Sequence, residues 1–310
     1  MRTGYRARAR LGRRRMLQTL RDTWRCFSSH GGRVLGAATA FYALLSVAPM
    51  LLIGVAITDA LTEEARARDQ VAADVALWVG EDGGAVLGDV LDNLARHRHG
   101  PLTGVLGGLL LLYAAQRLFS QLRFSLNQLW GVREVSGRGV KAKAMKQLRK
   151  RAAAIGMVVI VVAVVVATAL AKTSLMAGQR NLAPAVSARW HLIELGISFV
   201  LLTALCAVTY KLLPAVIISW RDAALGALAT AVLFTIGAQT IGWYIGFRSS
   251  GSAYGAAGSL VALLIWVYYT SQAFFLGAAF ARVQAERHGA GLIPAAGAVR
   301  LVEETEQGDS

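Results

Sequence analysis

Charge is what this sequence has least of. Only 16% of its 310 residues are Asp, Glu, Lys or Arg, and acids are the scarcer kind, 18 against 33 bases. Four stretches, 34–57, 152–171, 223–247 and 249–281, contain no charged residue at all. Each is at least as long as the roughly 20 residues that cross a hydrocarbon core as a helix, which excludes an ordinary soluble fold. Cysteine is nearly missing as well. Cys26 lies in a basic tail and Cys206 in an apolar run, so neither an external disulfide nor a cysteine metal site is expected. There is no phosphate-binding glycine loop, nucleophile elbow, pair of intramembrane carboxylates or metal-ligand spacing. The expectation is therefore a protein that is not an enzyme and needs no cofactor or metal. A cleaved signal peptide is not expected either, since the first apolar run is long and lacks a processing site. That run should act as an uncleaved anchor.

What is present is an all-α integral membrane protein, read as a bundle of six transmembrane helices at about 34–57, 101–120, 152–172, 192–212, 223–246 and 254–282. The second carries Arg117 and the fourth Glu194; the others are cleaner. Short cytoplasmic loops retain Lys and Arg. With an inside amino terminus, 24 of the 33 bases fall on inner segments, 8 on outer ones and Arg117 within a span. Both termini should therefore be cytoplasmic, in a multi-pass protein of the inner (plasma) membrane.

The layout is a basic cytoplasmic tail (1–33), one membrane domain (34–283) and a polar, disordered tail (284–310). In the first tail only a short piece around Leu17, Leu20, Trp24 and Phe27 looks helical. Trp24 and Phe27 suit a helix lying on the inner leaflet; a solvated basic tail is the plainer alternative. The outer loop 58–100 repeats apolar residues at helical spacing, Val71, Val75, Trp78 and Val79, then Val86, Leu87, Val90, Leu91 and Leu94. Two short amphipathic helices are expected there. His97 and His99 would face different sides of a helix and do not read as a metal pair. The inner loop 121–151 is densest in charge, and Lys141, Lys143, Lys146, Arg149, Lys150 and Arg151 point to anionic phospholipid. The net charge of +15 is explained by topology, without a specific nucleic-acid partner.

Polar groups inside spans are costly unless they face a partner or a wet cavity. The candidates to line a substrate path are Tyr42, Ser46 and Pro49 on the first span, Gln239 on the fifth and Tyr254 on the sixth, with Arg117 biasing the inner mouth. Arg117 lies sixteen residues into its span, about 24 Å from the outer end by helical rise. Asp222, at similar depth, is its expected structural partner. Ladders of small residues, among them Gly32, Gly36 and Ala40, Ala223, Ala227 and Ala231, and Gly242 and Gly246, predict close helix packing.

These segments resemble the YihY/BrkB family of bacterial inner-membrane proteins, once mislabelled as ribonuclease BN. The resemblance rests on AATAFYALLSVAPMLL at 37–52, LFSQLRFSLNQLWGV at 118–132 and, most specifically, YKLLPAVIISWRDAALGAL at 210–228 followed by YIGFRSSGSAYGAAGSLVALLIWVYYTSQAFFLGAAFARV at 244–283. It implies a six-span helical fold and suggests transport or envelope resistance. One position departs, since Ala279 stands where the family often has an acid. The expected function is export or transport of a hydrophobic, lipid-like or anionic molecule, driven by a gradient. The alternative is a non-transporting membrane scaffold. A nuclease would need clustered acids or histidines.

Overall fold

A computed structural model describes residues 2–61, 100–135, 184–248, 255–288, 292–295 and 298–300. It is mostly helical. The helices are α1 (Arg2–Ser29), α2 (Gly32–Leu61), α3 (Gly100–Leu129), α4 (Pro184–Leu212), α5 (Trp220–Arg248) and α6 (Gly255–Arg287), with short strands β1 (Val132–Glu134), β2 (Val216–Ile217), β3 (Ile293–Pro294) and β4 (Ala298–Arg300). Five of the helices lie on predicted spans. The predicted span 152–172, most of the outer loop and the basic inner residues from Lys141 to Arg151 lie outside the described residues. Among the described residues, Trp220–Thr240 and Leu263–Arg287 are long and apolar enough to cross a membrane.

The helix ends follow local chemistry. Gly31 and Gly131 have φ of 69° and 63°, the left-handed conformation that closes a helix and that glycine adopts without steric cost. Ahead of them, His30 N–H donates to Cys26 O (3.2 Å) and Trp130 N–H to Leu126 O (2.9 Å). Helix α4 opens on Pro184, whose missing N–H is no loss at the first helical position. It begins eight residues before the predicted span, and at 29 residues it is about 43 Å long. At α5, Ser219 Oγ accepts from Asp222 N–H (3.1 Å), a cap that satisfies a first-turn donor.

Two expectations need correcting. The amino-terminal tail is not helical only in a short piece; α1 covers 28 residues, from Arg2 to Ser29. Its Ala, Leu, Met and Arg residues are strong helix formers, so propensity holds a helix where apolar periodicity is weak. Nor is 284–310 disordered throughout. Helix α6 runs on to Arg287, and the segment beyond it forms strands. β4 pairs antiparallel with β1 (Val132 opposite Arg300, Glu134 opposite Ala298), and β3 with β2 (Val216 opposite Pro294, Ile217 opposite Ile293). Leu292 is buried beside them, which gives a polar tail an anchor that its composition conceals.

The chain forms two compact units. The first comprises Met1–Arg33, Arg123–Leu233 and Ala273–Ser310; the second comprises Val34–Leu122 and Phe234–Gln272. In the first unit, Leu126, Leu129, Trp130, Tyr210 and Phe275 are fully buried, as are Ala223, Ala227 and Ala231 of the small-residue ladder. α5 and α6 meet there backbone to backbone. A Cβ on Gly226 would stand 2.6 Å from Gly277 O, and one on Gly277 would stand 2.7 Å from Gly226 O. Tyr210 fastens the crossing, donating to Phe274 O (2.6 Å) with its hydroxyl 2.7 Å from that of Thr230.

In the second unit, Gly36 of α2 faces the Gln272 amide, and Gly237 of α5 faces the Tyr269 ring. Trp266 packs between Phe234 (5.1 Å) and Tyr269 (6.3 Å). Phe41, Leu45, Leu109, Leu110, Leu112, Ile236 and Ile265 point outward. So large an exposed apolar surface requires an apolar medium.

Candidate functional site

Polar side chains gather at one end of the first unit, around the last turns of α6. Arg282 is its centre, with only 13% of the side chain exposed. Nε donates to Glu286 Oε1 (3.0 Å), four residues on. Nη1 donates to the last carbonyl of α3, Leu129 O (2.5 Å), and lies 2.8 Å from His30 Nε2. Gly131 lies beside the guanidinium, where a Cβ would make an ordinary contact at 3.6 Å, so its left-handed φ and not space is what favours glycine there. His30 Nδ1 is 2.9 Å from Cys26 O. The tautomer that serves both contacts donates Nδ1–H to that carbonyl and accepts from Arg282 at Nε2. A cation at a helix carboxyl end also offsets the negative pole of the backbone dipoles.

Two further ties lie next to it. Arg287 donates to Asp22 Oδ2 (2.6 Å) and to Thr19 Oγ1 (2.5 Å), holding α1 to the end of α6. His288 Nδ1 lies 3.0 Å from Asp222 Oδ1, while Ser219 Oγ donates to Asp222 Oδ2 (2.7 Å). Asp222 is buried, so these contacts and the amino end of α5 carry its charge. Aspartate thus stands between serine and histidine. A nucleophilic serine needs the histidine in that middle place to take its proton. The arrangement is a helix clasp and not a catalytic triad. Nearby, Asn127 Oδ1 accepts from Ala215 N–H (2.7 Å) and Arg123 pairs with Glu134 (2.7 Å).

The two members of the expected Arg117–Asp222 pair belong to different units, and each has partners within its own. Asp222 has Ser219 and His288, as its place in the first turn of α5 allows. Arg117 Nε instead donates to the hydroxyl of Tyr113, one turn back on α3, and its guanidinium lies 5.1 Å from the centre of that ring. Among the described residues no carboxylate pairs with it.

The other substrate-lining candidates belong to the second unit. Tyr42 is half-buried and edge-on to Phe41 (5.7 Å). The half-buried Ser46 donates to Ala43 O (2.6 Å). Pro49 sits inside α2, where its missing N–H leaves Leu45 O without a helical donor. Gln239 is exposed, and Tyr254 lies outside the described residues. Ala279 is fully buried. Sequence reasoning missed Arg282, His30, Arg287, Asp22 and His288. One local signal was available, the Ser219–Asp222 spacing of a helix cap.

Long apolar helices with outward-facing Leu, Ile and Phe define a membrane protein. The sequence profile of the family described as virulence factor BrkB matches residues 23–300, and the chain belongs to that family. A UPF0761 membrane protein of Vibrio cholerae serotype O1 (strain ATCC 39315 / El Tor Inaba N16961) is 29% identical over 190 residues, 61% of this chain and 60% of that one. A UPF0761 membrane protein of Glaesserella parasuis serovar 5 (strain SH0165) is 38% identical over 94 residues, 30% of this chain and 33% of its own length. The chain thus covers from about a third to 60% of these relatives. No solved structure matches.

Proposed function

We propose that this chain is a six-span protein of the bacterial inner membrane, with both termini inside, that moves a hydrophobic, lipid-like or anionic molecule across the bilayer. It works without enzymatic chemistry. The observation that carries this reading is Arg117. A guanidinium on a helix whose neighbours Leu109, Leu110, Leu112 and Tyr113 face outward has a tyrosine for company and, among the described residues, no acid. Charge inside or at the edge of hydrocarbon is expensive, and an anionic head group arriving beside it would lower that cost. Tyr42, Ser46 and Gln239 supply hydrogen bonds for the rest of the molecule, and Pro49 leaves an acceptor in the wall of α2.

The test is flux. Purified protein in liposomes should release a fluorescent anionic amphiphile faster than protein-free liposomes. Arg117→Gln should slow that release at least about tenfold, the equivalent of 1.4 kcal/mol, without lowering the melting temperature. Flux no higher than in protein-free liposomes would end the reading. A second reading, a non-transporting membrane scaffold, draws on the clasps of the first unit, which suit a static platform. It predicts no flux and a defect in envelope integrity that Arg117→Gln leaves unchanged.

A further inference from the structure

In helix α1 polarity runs opposite to what a water-soluble fold requires. Its residues fall into rows four apart along the helix. Thr19, Thr23 and Phe27 form the buried row, at 7%, 4% and 3% exposure. Met16, Leu20 and Trp24 form the next row, and they are exposed at 67%, 50% and 50%. Beyond them come Leu17, Arg21 and Arg25, also exposed. A helix on a soluble protein turns its apolar stripe to the core and its hydroxyls to water. Here two threonines face the protein, Thr23 donating to Thr19 O (2.8 Å) and Thr19 accepting from Arg287, while methionine, leucine and tryptophan face away.

The height of α1 is fixed independently. Leu263–Arg287 of α6 is long and apolar enough to cross a membrane. Its last residue, Arg287, bonds to Asp22 at the middle of the described face of α1, and Arg282, one turn earlier, reaches His30 beyond the end of α1. The helix therefore lies at the level where α6 leaves the bilayer. At that level one side of a helix meets acyl chains and the side next to it meets head groups.

We propose that α1 is an in-plane membrane helix whose exposed Met16–Leu20–Trp24 row is seated in the acyl boundary of the leaflet at the carboxyl end of α6, with Arg21 and Arg25 on anionic phospholipid head groups. The occupant of the face is lipid. Charge complementarity supports it, since the exposed bases flank the apolar row on the side away from the protein. Arg33, 5.6 Å from the centre of the Trp24 ring, adds a third cation beside the same row. Phe27, in contrast, is not a membrane anchor: its ring packs on Gly32. The inference holds whether or not the protein transports anything.

The experiment uses the full chain, with Cys26 and Cys206 replaced by alanine, in nanodiscs of mixed zwitterionic and anionic phospholipid. Single spin labels are placed by Gln18→Cys, Leu20→Cys, Trp24→Cys and Arg25→Cys. Collisions with oxygen, which concentrates in hydrocarbon, are compared with collisions with a water-soluble nickel chelate. Positions 20 and 24 should favour oxygen several-fold over 18 and 25, and the ratio at 20 should fall when the anionic lipid is replaced by zwitterionic lipid. Labels at 20 and 24 as open to nickel as the label at 18 would overturn the proposal, because the face would then be in water. Protection from both reagents would overturn it too, because a protein surface or a second copy of the chain would then cover the row. Should the cysteine-free chain not fold, a photo-crosslinking phenylalanine analogue at position 20 of the natural chain gives the same decision: adducts with phospholipid support the proposal, and adducts with protein overturn it.

Discussion

Glycines of α5 and α6 are used in different ways in the two units. In the first, Gly226 and Gly277 bring main chain against main chain, with carbonyl oxygens standing where either side chain would begin. In the second, Gly237 makes room for the Tyr269 ring, and Gly36 of α2 makes room for the Gln272 amide. A carbonyl fixed in a helix cannot move aside, whereas rings and amides can change rotamer. The first unit is therefore locked at its helix crossing, and its ends are tied by Arg282, Arg287 and Asp222. The second has contacts that can rearrange. If the protein cycles between two states, its second unit is the place to look for the change.

That contrast can be broken by mutation. Arg282→Ala should have the largest effect: it leaves Leu129 O, His30 and Glu286 without their partner and should cost about 3–5 kcal/mol, read as a lower melting temperature in detergent. Arg282→Lys should recover part of the loss. A melt equal to that of the natural protein would mean that the clasp is ornamental. Next comes Gly226→Ala. Its Cβ would stand 2.5 Å from that of Ala281 and 2.6 Å from a main-chain oxygen, and overpacking of this kind costs about 1–3 kcal/mol. Gly36→Ala pushes only on the far end of Gln272 and should cost about 1 kcal/mol or less. Equal costs for the two substitutions would erase the distinction between the units. Smallest is Gly196→Ala on α4, where nothing lies within 4 Å. It should stabilise by about 0.5–1 kcal/mol through lower unfolded-chain entropy.

Much of the architecture was legible because hydrocarbon imposes long charge-free runs, and α2, α5 and α6 lie where such runs stand, with α3 on a run broken by Arg117. α4 begins earlier than its run because a helix need not stop where the apolar sequence does; Arg189 and Glu194 disguised its first turns. Helix α1 was legible only in its second half, where Leu17, Leu20, Trp24 and Phe27 recur at helical spacing. Even there, which of these aromatics faces outward depends on the turn at Gly31, which brings Gly32 back against the Phe27 ring. The strands of two or three residues are too short to leave a periodic signal.

The polar clasps were the least legible part. Arg282 meets His30 and Leu129 across 252 and 153 residues of sequence, a separation that no local pattern encodes. Asp222 was legible as a buried-end carboxylate, yet its partner was assigned by depth alone. The structure gives it to a histidine one residue past α6.

The strands after α6 bear on how the molecule is made. Residues 293–294 and 298–300 leave the ribosome after every described helix, yet they complete the sheet edges of the connections that follow α3 and α4. Until they arrive, β1 and β2 carry open backbone hydrogen-bonding groups, the kind of edge that recruits foreign strands. Assembly of the first unit thus finishes from its carboxyl side. A reporter spliced in directly behind His288 would interrogate a chain whose final stitches had been cut.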